Sequence, residues 1–169
     1  MADKTQLDDH LNKAEGYLML GMYEDALHEA AAAVEIEPAS YAANYLCGVA
    51  LISLKRFDEA EEPLMEAVAL APERPDALVH LAYVHRRIVS LDKAIETIRK
   101  AVERKPDMAI ANYNLACYYA LKGDAEEALR YLRRAINAAP SFRDVAREDE
   151  DFESLTSNDE FRRLVEIGE

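Results

Sequence analysis

Four prolines, Pro38, Pro72, Pro106 and Pro140, recur at an unvarying interval of 34 residues. Only a repeat architecture produces such a ruler. Counting back from each proline, an alanine stands five residues earlier (Ala33, Ala67, Ala101, Ala135) and another twelve earlier (Ala26, Ala60, Ala94, Ala128). A third small residue stands 24 positions earlier, as Ala14, Gly48, Ala82 and Ala116. Three small positions and one helix stop therefore repeat four times without a slip in register.

Each unit reads as two helices. The first small residue sits midway along one helix, and the other two, seven apart, share one face of a second, so two backbones can approach closely there. Larger apolar residues surround them at helical intervals, as in Leu115, Tyr118 and Tyr119 on one helix and Leu129, Leu132 and Ile136 on its partner. Short turns separate the helices at Leu20-Gly21-Met22 and Lys122-Gly123-Asp124, with Asp124 and Glu127 as a variant capping box. Proline then forbids continuation of the second helix, and Pro63 is expected to interrupt and kink the second helix of repeat two.

This pattern resembles the tetratricopeptide repeat, most closely in Asn114-Leu115-Ala116, Tyr119, Gly123 and Ala128 of the fourth unit. The resemblance covers roughly residues 7–140. It implies an all-α fold, a right-handed α-solenoid of four helix-turn-helix repeats (7–40, 41–74, 75–108, 109–140) with capping helices at 141–169 and an N-terminal tail at 1–6.

Composition agrees with that class. Half of the 169 residues are hydrophobic, only 5 are Gly, and no strand-like alternation is present. The longest apolar stretch, Tyr41 to Leu54, contains Asn44 and Ser53 and falls short of the roughly 18 uninterrupted apolar residues a membrane span needs. The opening Met-Ala-Asp-Lys-Thr lacks the pattern of a secretory signal, so a cytoplasmic location is expected. Cys47 and Cys117 lie in the first helices of repeats two and four, read as buried thiols too far apart to bridge. Neither has a second Cys or a His at ligand spacing, so no metal or other cofactor is expected.

The net charge of −13 argues against nucleic acid and anionic membranes as partners. Much of the acid lies late in the chain, at Asp144, Glu148-Asp149-Glu150-Asp151 and Glu153. Phe142, Phe152 and Phe161 also lie here, whereas all nine tyrosines lie in the repeats. The run Asp149-Glu150-Asp151-Phe152-Glu153-Ser154-Leu155, followed by Glu160-Phe161-Arg162-Arg163-Leu164, resembles an ending seen after bacterial tetratricopeptide arrays. It is read as a cap closing the apolar flank of the last repeat, the alternative being a tail that folds into its own groove. Ser157 with Glu160 reads as a capping box opening a final helix whose apolar set is Phe161, Leu164, Val165 and Ile167.

In the family that the repeats resemble, successive first helices align along a concave face. The corresponding positions here are Leu11, Glu15 and Leu18; Tyr45, Val49 and Ile52; Val79, Tyr83 and Arg86; Tyr113, Cys117 and Ala120. Tyr45, Tyr83 and Tyr113 are expected to form a ladder suited to a peptide or an inserted helix. His80 and Arg86 add positive charge able to grip a carboxylate, Asn114 joins the same surface, and His85 is expected to point away. Arg86 and Arg87 equally suit the end of a helix dipole.

The carboxylate clamp of heat-shock co-chaperones is absent. Its positions hold Leu11, Glu15, Leu46, Asp76 and His80 in one register and Tyr45, Val49, His80, Ile110 and Asn114 in the next, where only Asn114 fits. No phosphate loop, metalloprotease or serine-hydrolase motif occurs, and no catalysis is expected. Two readings remain. One is an adaptor or scaffold that binds a partner segment in the Tyr-lined groove, and the other is a dedicated chaperone or assembly factor for an apolar segment of a partner. The N-terminal flank, with Leu11, Leu18 and Met19, is a candidate homodimer surface.

Overall fold

The computed structural model describes residues 2–166. It is built from eight helices of similar length, α1 (Ala2–Met19), α2 (Tyr23–Ile36), α3 (Tyr41–Ser53), α4 (Phe57–Leu70), α5 (Asp76–Ile88), α6 (Leu91–Arg104), α7 (Ala109–Lys122) and α8 (Ala125–Ala138). Two short helices, α9 (Phe142–Glu148) and α10 (Asp159–Val165), flank a 3-10 segment, Glu150–Leu155. No strand occurs among the described residues, and no helix there is long and apolar enough to cross a membrane. The chain divides into two compact units, Met1–Ser90 with α1–α5 and Leu91–Glu169 with α6–α10.

The small positions explain the pairing. All twelve are buried, and every alanine among them has no exposed surface. At Gly48 the approach is tightest: a Cβ there would lie 2.4 Å from Cγ of Leu64 on α4. In the first unit these residues take part in three clusters: Leu7, Ala33 and Ala43; Ala14, Ala30, Leu46 and Cys47; and Leu51, Ala60, Leu64, Leu81 and Val84. In the second unit Leu115 and Tyr118 on α7 and Leu129, Leu132 and Ile136 on α8 are buried, while Tyr119 stacks on Tyr131 at 5.7 Å.

Three of the four turns obey the same ruler. Gly21 and Gly123 take left-handed backbone angles (φ 72° and 82°), and Lys55, 34 residues after Gly21, does so without being glycine (φ 59°). The Asp124 side chain accepts from the Glu127 amide at 3.2 Å, the first half of the expected capping box.

Three expectations are corrected. Residues 2–6 are not a tail, because α1 starts at Ala2. Pro63 does not interrupt α4, which runs from Phe57 to Leu70 with the proline inside it. The last helix is capped by Asn158 rather than Ser157; its side-chain oxygen accepts from the amides of Glu160 and Phe161. Phe161 and Val165 are buried as the apolar pattern requires, and Ile167 lies outside the described residues.

Candidate functional site

In the first unit the expected groove-side positions come from α1, α3 and α5, and the candidate binding residues lie on α3 and α5. Tyr45 is half-buried, its ring 5.6 Å from Tyr41 and its hydroxyl 3.1 Å from Nε2 of His80. Burial, reinforced by Tyr41 and Asp76, pushes the Tyr45 phenol up to about 12. His80 is held below its ordinary pKa by burial, against a smaller opposing effect of Asp76. Arg86 is half-buried on the last turn of α5. Tyr83 meets Phe57 edge-on at 5.8 Å, with the Arg87 guanidinium 5.2 Å from the Phe57 ring. Val79 is buried, whereas Val49 and Ile52 are half-buried. His85 does point elsewhere: it is buried with Nε2 3.2 Å from Glu61 on α4. Tyr45 and Tyr83 thus belong to separate ring clusters instead of forming rungs of one ladder.

In the second unit the same helix positions are already covered. Tyr113 is 5% exposed. Its hydroxyl donates to Oδ2 of Asp149 at 2.7 Å, its ring stacks on Phe142 at 4.6 Å, and Phe152 meets it edge-on at 5.8 Å. Burial and this hydrogen bond to a carboxylate both raise the Tyr113 pKa far above its ordinary value. Sγ of Cys117 lies 3.8 Å from the same carboxylate oxygen, and Ser154 Oγ donates to the Ala120 carbonyl at 3.5 Å. Tyr113, Cys117 and Ala120 are the three groove-side positions of repeat four, so the C-terminal segment lies along them. Asn114 beside them is half-buried.

That segment is itself braced. Phe152 stacks on Phe161 at 5.5 Å, Arg143 and Arg147 donate to the carbonyls of Leu164 and Val165, and Arg133 pairs with Glu160. Cys117, Asp149 and Asp151 place one ligand atom each within 4.8 Å of one another, a grouping that chain spacing does not reveal. Both cysteines are free thiols, and burial pushes Cys47 up to about 11, which leaves it unreactive at neutral pH.

Sequence reasoning overlooked a pair of structural asparagines. Nδ2 of Asn44 donates to the carbonyls of Pro38 and Ser40 at 2.8 and 2.9 Å, and Nδ2 of Asn112 does the same to Pro106 and Met108, both at 2.9 Å. The two stand 68 residues apart, twice the repeat, and tie the proline turn to the next first helix. Their shared phase was the available signal.

Two models of the tetratricopeptide repeat match the sequence, one over residues 56–109 and 81–142 and the other over residues 17–82. The chain belongs to the tetratricopeptide-repeat family. Members of this family are typically non-catalytic protein-interaction modules. Among solved structures, this tetratricopeptide-repeat protein is similar to MamA (27% identity, TM-score 0.73, 83% of this chain and 82% of that one). It shares its fold with TTC0263 of Thermus thermophilus, a thermophilic repeat protein (21% identity, TM-score 0.78, 94% and 87% covered). The same holds for YrrB, described as a repeat protein with an unusual peptide-binding site (19% identity, TM-score 0.69, 98% and 87% covered). No curated protein matches the sequence.

Proposed function

We propose that this protein is a non-catalytic adaptor or scaffold that holds a short segment of a partner protein on the groove-side positions of α3 and α5, centred on Tyr45, Val49, Tyr83 and Arg86. One observation carries the reading: a first helix of this chain already holds a peptide segment on these positions. On α7 a tyrosine hydroxyl binds a carboxylate, its ring packs on phenylalanine, and a backbone carbonyl accepts from serine. Tyr45 and Val49 stand at the phases of Tyr113 and Cys117, so the chemistry suits an acidic and aromatic segment of similar length. A cytoplasmic, bacterial setting fits the same reading.

The test is quantitative capture from lysate of the source organism, comparing wild type with a Tyr45→Ala, Tyr83→Ala variant shown by circular dichroism to stay helical. Partners lost with the variant place binding on α3 and α5; an unchanged set refutes that placement. Self-association through the N-terminal flank is a separate possibility with its own support. Met19 is 88% exposed and Leu20 73%, with Met22 and Tyr23 exposed beside them, whereas Leu11 and Leu18 pack inward on the Ala14 cluster.

A further inference from the structure

The second helices of the four repeats are equivalent in the ruler but not in charge. α2 carries four carboxylates and α4 five, and neither carries Lys or Arg. α6 carries three carboxylates against four bases, and α8 two against three. Packing does not require this difference, since the charged positions of all four helices lie mostly on their exposed faces.

Between α2 and α4 the first unit opens a groove of about 900 Å³. Its floor and walls are apolar: Cys47 and Leu51 from α3, Leu27 and Val34 from α2, Pro63 from α4. Its one polar floor residue, Asn44, has its amide nitrogen committed to the carbonyls of Pro38 and Ser40. Glu35, Glu62 and Glu66 line the rim, and among the described residues none of them has a hydrogen-bond or ion-pair partner. The lining cation, Arg56, is held by Glu59 through two hydrogen bonds of 2.7 and 2.6 Å. Pro63 has no N–H to offer the Glu59 carbonyl within α4.

We propose that the α2–α4 groove is a second docking surface, whose occupant is a Lys- and Arg-flanked amphipathic helix of a partner protein. The apolar ridge of such a helix fills the floor between two helical walls, as in other helix-in-groove complexes. Its flanking cations meet three carboxylates that nothing in the described chain neutralises. Low-dielectric walls focus that field, so the charge selects the partner and speeds its arrival.

The test uses the full chain and a labelled synthetic peptide of about 18 residues, long enough to be helical in water, with Leu and Ala on one face and Lys on the other. A mirror peptide carries Glu in place of Lys. Fluorescence anisotropy should show binding of the Lys peptide and none of the Glu peptide. The triple variant Glu35→Lys, Glu62→Lys, Glu66→Lys should weaken binding at least about tenfold, and Ala31→Trp, which fills the groove, should do likewise. A control triple with the same change in net charge, Glu103→Lys, Glu126→Lys, Glu153→Lys, should change it less than about twofold at 0.15 M salt. Amide shift changes should map to α2 and α4. Equal weakening by both triples reduces the attraction to the general field and overturns the proposal. So does an absence of binding at low salt, or loss on Tyr45→Ala, Tyr83→Ala with the groove triple unaffected. Glu→Gln changes at the three rim positions replace the Lys changes should those fail to fold.

Discussion

Replacing Tyr113 by Phe tests whether the C-terminal segment is held on α7 by chemistry or by shape. The substitution removes one oxygen and leaves the ring contacts with Phe142 and Phe152 intact. The lost interaction is a 2.7 Å hydrogen bond from a buried phenol to the Asp149 carboxylate. Hydrogen bonds to charged acceptors contribute about 1.5–3 kcal/mol. Two features favour the lower half of that range: Oδ1 of Asp149 keeps its bond from the Asp151 amide, and Cys117 Sγ remains near Oδ2 as a weak donor. The expected loss is about 1.5–2 kcal/mol. In hydrogen exchange that is roughly a tenfold or greater acceleration of the amides of residues 150–155, if the segment opens as a local unit. A double-mutant cycle with Asp149→Ala, read by urea unfolding, should return a coupling of about 1–2 kcal/mol. A Tyr113→Phe protein within about 0.5 kcal/mol of wild type, with unaltered exchange at 150–155, would refute the reasoning and leave aromatic stacking as the whole seat.

Gly48→Ala should destabilise by about 1–2 kcal/mol, because overpacking against the fully buried Leu64 (about 1–3 kcal/mol) outweighs the helix-propensity gain of about 0.5–1 kcal/mol; a more stable variant in urea melts would show that α3 and α4 separate freely. Lys55→Gly should stabilise by about 1 kcal/mol by relieving the left-handed angle at φ 59°, and an unchanged unfolding midpoint would mean Lys55 is not held there. Because burial depresses His80, the unfolded chain binds its proton more readily than the folded one, so stability falls as pH drops below about 6.5 toward the lower folded value. Between pH 7.5 and 5.5 wild type should therefore lose more stability than His80→Gln, and parallel curves would contradict the assignment. If the N-terminal flank self-associates, light scattering should show a concentration-dependent dimer that Met19→Lys, Leu20→Lys abolishes.

The repeat made the helices and their close approaches legible because a 34-residue period multiplies each weak signal by four. Ala26 alone says little, but Ala26, Ala60, Ala94 and Ala128 are all fully buried for one reason, the contact of paired helices. The turn phase shows the same logic where residue type conceals it. Positions 21, 55, 89 and 123 hold Gly, Lys, Val and Gly; the glycines announced their backbone angles, and Lys55 adopts the same left-handed angle without being glycine. At Val89 the third turn closes differently (φ −113°), with the amides of Val89 and Ser90 both on the His85 carbonyl. What the sequence withheld is which neighbour covers each groove-side position. Helical spacing gave Tyr45 and Tyr113 the same face, yet one hydroxyl meets His80, 35 residues on, and the other meets Asp149, 36 residues on. Such long-range partners have no periodic signal, because His80 and Asp149 occur once each in their roles.

A repeat chain has to close its last helix pair and still leave a surface for its partners. Closing repeat four uses Tyr113, Cys117 and Ala120, at the phases proposed on α3 to hold a partner, and it uses an acidic, aromatic segment to do so. Positions freed from packing are those on the outward faces of the second helices, where ion pairs contribute little to stability and charge is therefore open to choice. The net charge of −13 is not spread evenly over the four helices that the ruler makes equivalent. Instead α6 and α8 balance their acids with Lys and Arg, while α2 and α4 carry none, around an apolar groove with three unneutralised rim carboxylates. The acid concentrated on α2 and α4 suits the basic helix proposed for the groove between them.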